Sequence, residues 1–454
     1  MSEELPRGSA PTSVGALCKQ ALAWALDVMG REGAGAADVR VDVSRNASAN
    51  VRFARNEPTT SGESDEITVS CWVGFGWRHA SSSINQTDEA SIRGVAARAL
   101  AMAKLSPEDP EKMPLLGPQD YVTVPTAWDE SLAAMSPGDR AAIPARAIKR
   151  ADASGVKVAG FFERDAAEHA MMNSEGLVAQ HRATSASYTV TARTADDTGS
   201  GWAGREAWRI SELEDDLLAA TAIDKATRSA NPKTLPPGKY TVILEPQAVY
   251  EMLSFMVGEM DQRSADEGRS FFAGKVGQKI FADFVSLRSD PADSLTPSAP
   301  YDAEGFPLST FPWIAEGRVS KLHVSRYWAK KKNLEPTGSP RMFHLTGGKA
   351  ESVEELCRGV KRGLIVTRFW YNRMLEPQSL TITGLTRDGV FLVEDGKVTG
   401  PVTNFRYNES PITVLKNVDA MTLQTFRVPA GDAIWHVPAL RTNDFTMASA
   451  SAAV

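Results

Sequence analysis

Cysteine is scarce in this 454-residue chain, which has three: Cys18, Cys71 and Cys357. They lie far apart and form no CxxC, which argues against a disulfide framework and favours a reducing, cytoplasmic setting. Long apolar runs are missing too. The most apolar early stretch, Ala21 to Met29, carries Asp27 and falls well short of the roughly 20 apolar residues that a membrane span needs. The opening Met-Ser-Glu-Glu-Leu-Pro-Arg-Gly is acidic and has no apolar signal core. No membrane partner is expected. Nor is there an excess of basic residues: 50 Lys and Arg stand against 56 Asp and Glu, a net charge of −6. That balance argues against a nucleic-acid partner.

Common catalytic signatures are absent as well. The six histidines, His79, His169, His181, His323, His344 and His436, include no HExxH or other helical zinc pair. No GxxxxGK[ST] phosphate loop and no GxSxG nucleophile elbow occurs. Gly199-Ser-Gly201-Trp-Ala-Gly204 matches GxGxxG, but the polar Thr194–Thr198 precedes it and no helix start follows. It reads as a glycine-rich turn, not a dinucleotide site. There is no internal repeat.

With 42% hydrophobic and 23% charged residues, the chain has a soluble globular composition. At roughly 100–200 residues per domain it holds two large domains. Residues 1–12 read as a loose N-terminus. Ser13 is placed to cap a helix whose Leu17, Ala21, Trp24 and Val28 share a stripe. The period then becomes two: Val39, Val41 and Val43, Val51 and Phe53, and Ile67 to Phe75 predict antiparallel strands with one wet face. Ile92 to Met102 restores helical spacing. Four prolines in 105–120 mark a connector. Strand-like pieces follow at 156–162, 176–181 and 188–194, and Ser211 with Glu214 predicts a capping box. The sharpest boundary is Asn231-Pro-Lys-Thr-Leu-Pro-Pro-Gly238. It separates an N-terminal α+β domain (13–230) from a β-rich α+β domain (231–445), with a flexible tail at 446–454. In the second domain, strand 240–244 precedes a helix over 247–260 whose apolar face is Val249, Leu253, Met256, Val257 and Met260. Short strands and turns follow, interrupted by a helix over 352–364. Strands and helices interleave without a βαβ rhythm, so the fold class is α+β.

Two clusters carry charge and aromatics. Lys330-Lys331-Lys332 reads as a solvated face. In Leu-Ile-Val-Thr-Arg-Phe-Trp-Tyr-Asn-Arg, strand alternation puts Arg368 and Trp370 on one face and Phe369, Tyr371 and Arg373 on the other. The Arg/Tyr face suits a peptide carboxylate or backbone, and it suits arginine–aromatic packing equally well.

Several segments resemble the TldD/PmbA family, historically named modulators of DNA gyrase and associated with metallopeptidases. They include Pro236-Pro-Gly-Lys-Tyr-Thr-Val-Ile-Leu-Glu-Pro-Gln-Ala-Val249, Gly268-Arg-Ser-Phe-Phe-Ala-Gly-Lys-Val-Gly277, Tyr301-Asp-Ala-Glu-Gly305 and Asn404-Phe-Arg-Tyr-Asn-Glu-Ser-Pro411. Ser325-Arg-Tyr327, Glu335-Pro-Thr-Gly338, Gly384-Leu-Thr-Arg-Asp-Gly389 and Val437-Pro-Ala-Leu-Arg441 complete the set. The likeness is dense over 229–445 and weaker over 38–228. It implies a two-domain architecture of mixed and antiparallel sheets with flanking helices.

In peptide-cutting members of that family, the helix after Glu-Pro-x-Ala-Val carries His-Glu-x-x-x-His. Its two histidines and a later cysteine bind the metal, and its glutamate is the expected general base. Counting from Ala248-Val249, those places fall here on Ser254, Phe255 and Glu259, and no cysteine follows Cys357. On a regular helix, 254 and 259 also sit about 140° apart. The resemblance therefore implies the metal-free TldE/PmbA type of subunit, which needs no cofactor of its own, a zinc-type metal being expected only in a catalytic paralogue. Its implied partners are a TldD-like paralogue with the intact motif and a peptide substrate, in a homo- or hetero-oligomer. A metal-independent hydrolase and a stand-alone peptide-binding scaffold are the alternatives. Candidate cleft residues are Asp302, Glu304, His344, Arg368, Tyr371 and Arg373.

Overall fold

The computed structural model describes residues 13–451; the expected loose terminus at 1–12 lies outside them. Chain order in the first half is α1 (Val14–Arg31), β1 (Asp38–Ala54), β2 (Glu57–Phe75), β3 (Arg78–Ile84), α2 (Glu89–Leu105), α3 (Glu130–Ala133), α4 (Pro137–Ala153), β4 (Lys157–Asn173), β5 (Val178–Arg193), β6 (Ser200–Ala207) and α5 (Asp215–Arg228). The six strands form one antiparallel sheet in the order β3-β2-β1-β4-β5-β6. Along β1 the valines at 39, 41 and 43 are buried, and α1 and α2 cover that face in one continuous core. The Ser13 hydroxyl accepts the Ala16 N–H and caps α1.

The glycine motif is a strand, not a turn. Gly199 lies just before β6 and Gly201 within it, both against α5, where a Cβ on Gly201 would stand 2.3 Å from the Ala222 carbonyl oxygen and one on Gly199 2.2 Å from that of Ala226. Glycine here serves close helix–strand packing. The capping box at Ser211 does not form. Residues Ile210–Glu212 make a 3₁₀ turn, and α5 starts after Glu214, which is left-handed (φ 51°) and caps nothing. Glu214 instead pairs with Arg205, while Asp215 and Asp216 meet the positive helix end.

The second half contains β7 (Gly238–Leu244), α6 (Pro246–Gly258), α7 (Gln262–Asp266), β8 (Ser286–Ser289), β9 (Phe311–Ala315), β10 (Arg318–Val319), α8 (Arg326–Lys332), β11 (Met342–Thr346), α9 (Val353–Cys357), β12 (Arg362–Glu376), β13 (Thr381–Glu394), β14 (Lys397–Pro401), β15 (Phe405–Glu409), α10 (Pro411–Lys416), β16 (Val418–Val428) and β17 (Ile434–Ala450). These strands form an 11-stranded mixed sheet. Within it β17, β15, β13, β12 and β7 pair in turn, and β7 pairs back to β17, closing a ring. Closure removes free strand edges. The α+β class and mixed sheets agree with expectation, but three details differ. The helix over 352–364 stops at Cys357, because Gly359 turns at φ 79° and β12 begins at Arg362. The expected short strands include elements of 15, 14 and 17 residues. The segment from 446, expected to be loose, stays paired to Ala450.

Several contacts tie the halves together. Ser200 Oγ on β6 donates to Asp388 Oδ1 on β13 at 2.6 Å. Arg427 on β16 pairs with Glu206 on β6, Lys225 with Glu245, and Arg263 with Glu111 through both terminal nitrogens.

Candidate functional site

Helix α6 follows β7 directly and lies against the ring. Its apolar side, Ala248, Val249, Met252, Leu253 and Met256, is fully buried, as a 3.6-residue period facing a sheet requires. The flank formed by Gln247, Glu251, Ser254 and Phe255 is spaced i, i+4, i+7, i+8 and forms a second stripe. Phe255 packs against the main core of this half. The helix ends at Gly258, so Glu259 occupies the C-cap (φ −96°, ψ −4°) off the regular helix. Its carbonyl accepts the Ser270 hydroxyl at 2.6 Å. One hydroxyl, one phenyl ring and one carboxylate do not make a zinc donor set, since zinc takes about four ligands, mostly His, Cys or carboxylate. Among the described residues no group of three or more His, Cys, Asp or Glu is placed to hold a metal ion.

Glu251 was not foreseen. Its carboxylate accepts the Phe369 N–H on one oxygen and the Gln247 side-chain N–H on the other at 3.0 Å. Packing around it pushes its pKa up to about 7, against the pull of those hydrogen bonds and of Arg368. Arg368 lies close by and donates from Nε to Asp388 Oδ2 at 2.8 Å, with Asp388 almost wholly enclosed. The guanidinium also stacks between Trp202 and Trp370, 5.0 and 5.2 Å from the ring centres. A chain Ser200–Asp388–Arg368 thus runs from β6 to the neighbourhood of α6. One sequence signal for Glu251 existed: a charge in the middle of an apolar helix.

The other expected residues are dispersed. Asp302 opens a turn in which its carboxylate accepts the N–H groups of Glu304 and Phe306, and burial raises its pKa. Glu304 pairs with Arg326. Tyr371 and Arg373 are both exposed on β12, and Tyr371 does not share a face with buried Phe369. The reason is local: Tyr371 is left-handed (φ 53°), and the pairing with β13 slips between Trp370 and Arg373. A bulge of this kind cancels the two-residue alternation.

His344 belongs to a separate cluster. Its Nδ1 lies 2.9 Å from Asp293 Oδ2, which also accepts from Arg288 at 2.8 Å. Its Nε2 lies 3.4 Å from Thr425 Oγ1, and that oxygen is 2.6 Å from His436 Nδ1. The His344 hydrogen bond holds the Asp293 carboxyl far below the usual range. Burial, then His344, pushes His436 down to about 4. Thr425 and His436 line a cleft of about 600 Å³ between β6 and the second sheet, together with Arg205, Glu206, Trp208 and Arg427. Only His344 of this group was singled out in the sequence; strand register and loop closure bring in the rest.

Set against known proteins, residues 237–449 match the profile of the PmbA/TldA metallopeptidase C-terminal domain, and residues 130–230 match that of its central domain. A protein of Methanothermobacter thermautotrophicus named Metalloprotease is 24% identical over 271 residues, 56% of this chain; the match spans 59% of that relative's length. A metalloprotease of Methanocaldococcus jannaschii is 22% identical over 410 residues, covering 85% of this chain and 89% of the relative. Among solved structures, TldE from Thermococcus kodakarensis superposes with a TM-score of 0.85 at 18% identity, over 95% of this chain and 99% of that one. At that identity the likeness concerns the fold.

Proposed function

The chain belongs to the PmbA/TldD family, and on that premise we propose that it is the non-catalytic subunit of a heteromeric metalloprotease acting on peptides. The observation that carries the reading is Phe255. In the metal-bearing members this place holds the general base; here it holds a half-buried ring packed against the core, which accepts no proton. Ser254 and Glu259 occupy the two histidine places, and no thiol follows Cys357. On this reading the metal motif has been lost, α6 survives as a packing helix, and the chain walls the peptide path beside a TldD-like paralogue that carries zinc. The fold likeness to a protein named TldE supports it. Three buried, unpaired thiols accord with a cytoplasmic setting.

Two measurements test the proposal together. Untagged chain, purified without chelator, is assayed for transition metal by mass spectrometry, alone and after co-expression with a paralogue bearing the intact motif. The expected result is no stoichiometric metal in the lone chain, a stable mixed complex, and chelator-sensitive peptide cleavage by that complex. One metal per lone chain, with chelator-sensitive cleavage by that chain, would overturn it.

A further inference from the structure

The cleft between β6 and the second sheet gathers the parts of a reaction centre that owes nothing to α6. Thr425 sits where β16 bulges: its pairing with β17 jumps from Met421–Leu440 to Thr425–Pro438. Bulges re-aim side chains, and here the hydroxyl meets two imidazoles. With the ring protons assigned to satisfy every partner, the polarity runs one way. His436 Nδ1–H donates to Thr425 Oγ1, Thr425 O–H donates to His344 Nε2, and His344 Nδ1–H donates to Asp293. Beside this chain, Arg427 stands opposite His436 in the strand register, and its Nη1 has no hydrogen-bond partner. Leu295 and Leu423, 45% and 71% exposed, line the same cleft.

We propose that, apart from the metal-dependent cleavage in which the chain itself has no catalytic part, this cleft is a metal-independent acyl-transfer site with Thr425 as nucleophile, taking an ester or amide carbonyl. A hydroxyl in contact with a base that is itself oriented by a carboxylate is the arrangement nucleophilic catalysis needs. The 3.4 Å contact to His344 is of the length that tightens when substrate binds. Thr425 Oγ1 attacks the carbonyl carbon while its proton passes to His344 Nε2. Arg427, fixed to Glu206 through Nε and Nη2, lines the same cleft and would offer its unpartnered Nη1–H to the charge that develops on the carbonyl oxygen. The carbon–nitrogen or carbon–oxygen bond then breaks, the leaving group takes the proton from His344, and an acyl-Thr425 ester remains. Water attacks that ester, gives its proton to His344, and the threonine oxygen leaves and recovers it. The sum is acyl compound plus water giving acid plus amine or alcohol. Asp293 and His436 are positioning residues: the first holds the imidazole, the second the hydroxyl.

The test uses the full chain, alone and chelator-treated, with p-nitrophenyl acetate. The expected result is a burst of nitrophenolate and an acetyl ester mapped to Thr425 in acid-quenched protein. Thr425→Val should abolish that adduct, Thr425→Ser should keep it, and His344→Gln should slow its formation about a hundredfold. Acetyl groups only on other side chains, or a Thr425→Val variant as fast as the native chain, would overturn the assignment. Because the assay needs neither metal nor partner, it can fail while the mixed complex still forms, and succeed while it does not.

Discussion

Replacing Glu251 with glutamine should stabilise the protein at alkaline pH and leave it nearly unchanged in mild acid. The carboxyl titrates near 7 in the folded chain against an ordinary 4.5, chiefly because burial disfavours its charge. Between those values the folded state holds more protons than the unfolded one, so stability falls as pH rises through the window, and the loss is complete above about 7. At 1.36 kcal/mol per pKa unit, the full loss is about 3 kcal/mol. Glutamine carries no charge and escapes it. The site accommodates the amide: its oxygen can keep the Phe369 N–H, and its new donor faces Gln247, whose Oε1 has no partner. Thermal melts of the full chain read the effect. At about 2–4 °C per kcal/mol for a unit of some 200 residues, the variant should melt near the native temperature at pH 4 and about 6–12 °C higher at pH 8. A midpoint difference that stays constant from pH 4 to pH 8 would refute the reasoning.

Three further perturbations have defined outcomes. Gly201→Ala drives a Cβ to 2.3 Å from one α5 backbone atom and 2.4 Å from another, and should cost about 3 kcal/mol in denaturant melts; Gly258→Ala, with no atom within 4 Å of its Cβ, should change stability by less than about 1 kcal/mol. Asp388→Ala leaves Arg368 and Ser200 without their shared acceptor and should destabilise by about 3–5 kcal/mol, with faster proteolysis at the connector 231–237. His436 is lowered to about 4 by burial, so the folded state holds fewer protons below the ordinary value near 6.5; stability present above pH 6.5 is lost as pH falls toward 4, and His436→Gln should flatten that limb of the melting-temperature profile.

The periodic elements were legible because periodicity is local. The stripe on α6, the alternating valines of β1 and the Ser13 cap all follow from which side chains a helix or pleated strand must bury. The misreadings arose where a distant contact or a backbone angle outweighed a local pattern. Glu214 pairs with Arg205 on β6 instead of closing a capping box. Gly359 ends α9 early, and the left-handed Tyr371 breaks the alternation expected over 368–373. Gly199 and Gly201 are spaced like a turn motif, yet they serve the approach of α5 to β6.

By itself, the sequence determined the family and the α+β class, since each is a statement about residue types in order along one chain. Only the tertiary structure decided where charge and reactivity meet. Glu251 acquires its raised pKa from burial in the packed structure, while β12, more than a hundred residues away in sequence, supplies the Phe369 N–H and the Arg368 charge that oppose it. Thr425, His344, His436 and Asp293 come from three strands and a loop, brought within hydrogen-bond reach by a parallel pairing of β11 with β17 and a bulge in β16. The pairing and the bulge are non-local, because both depend on the register between strands, which the packing of the whole sheet fixes.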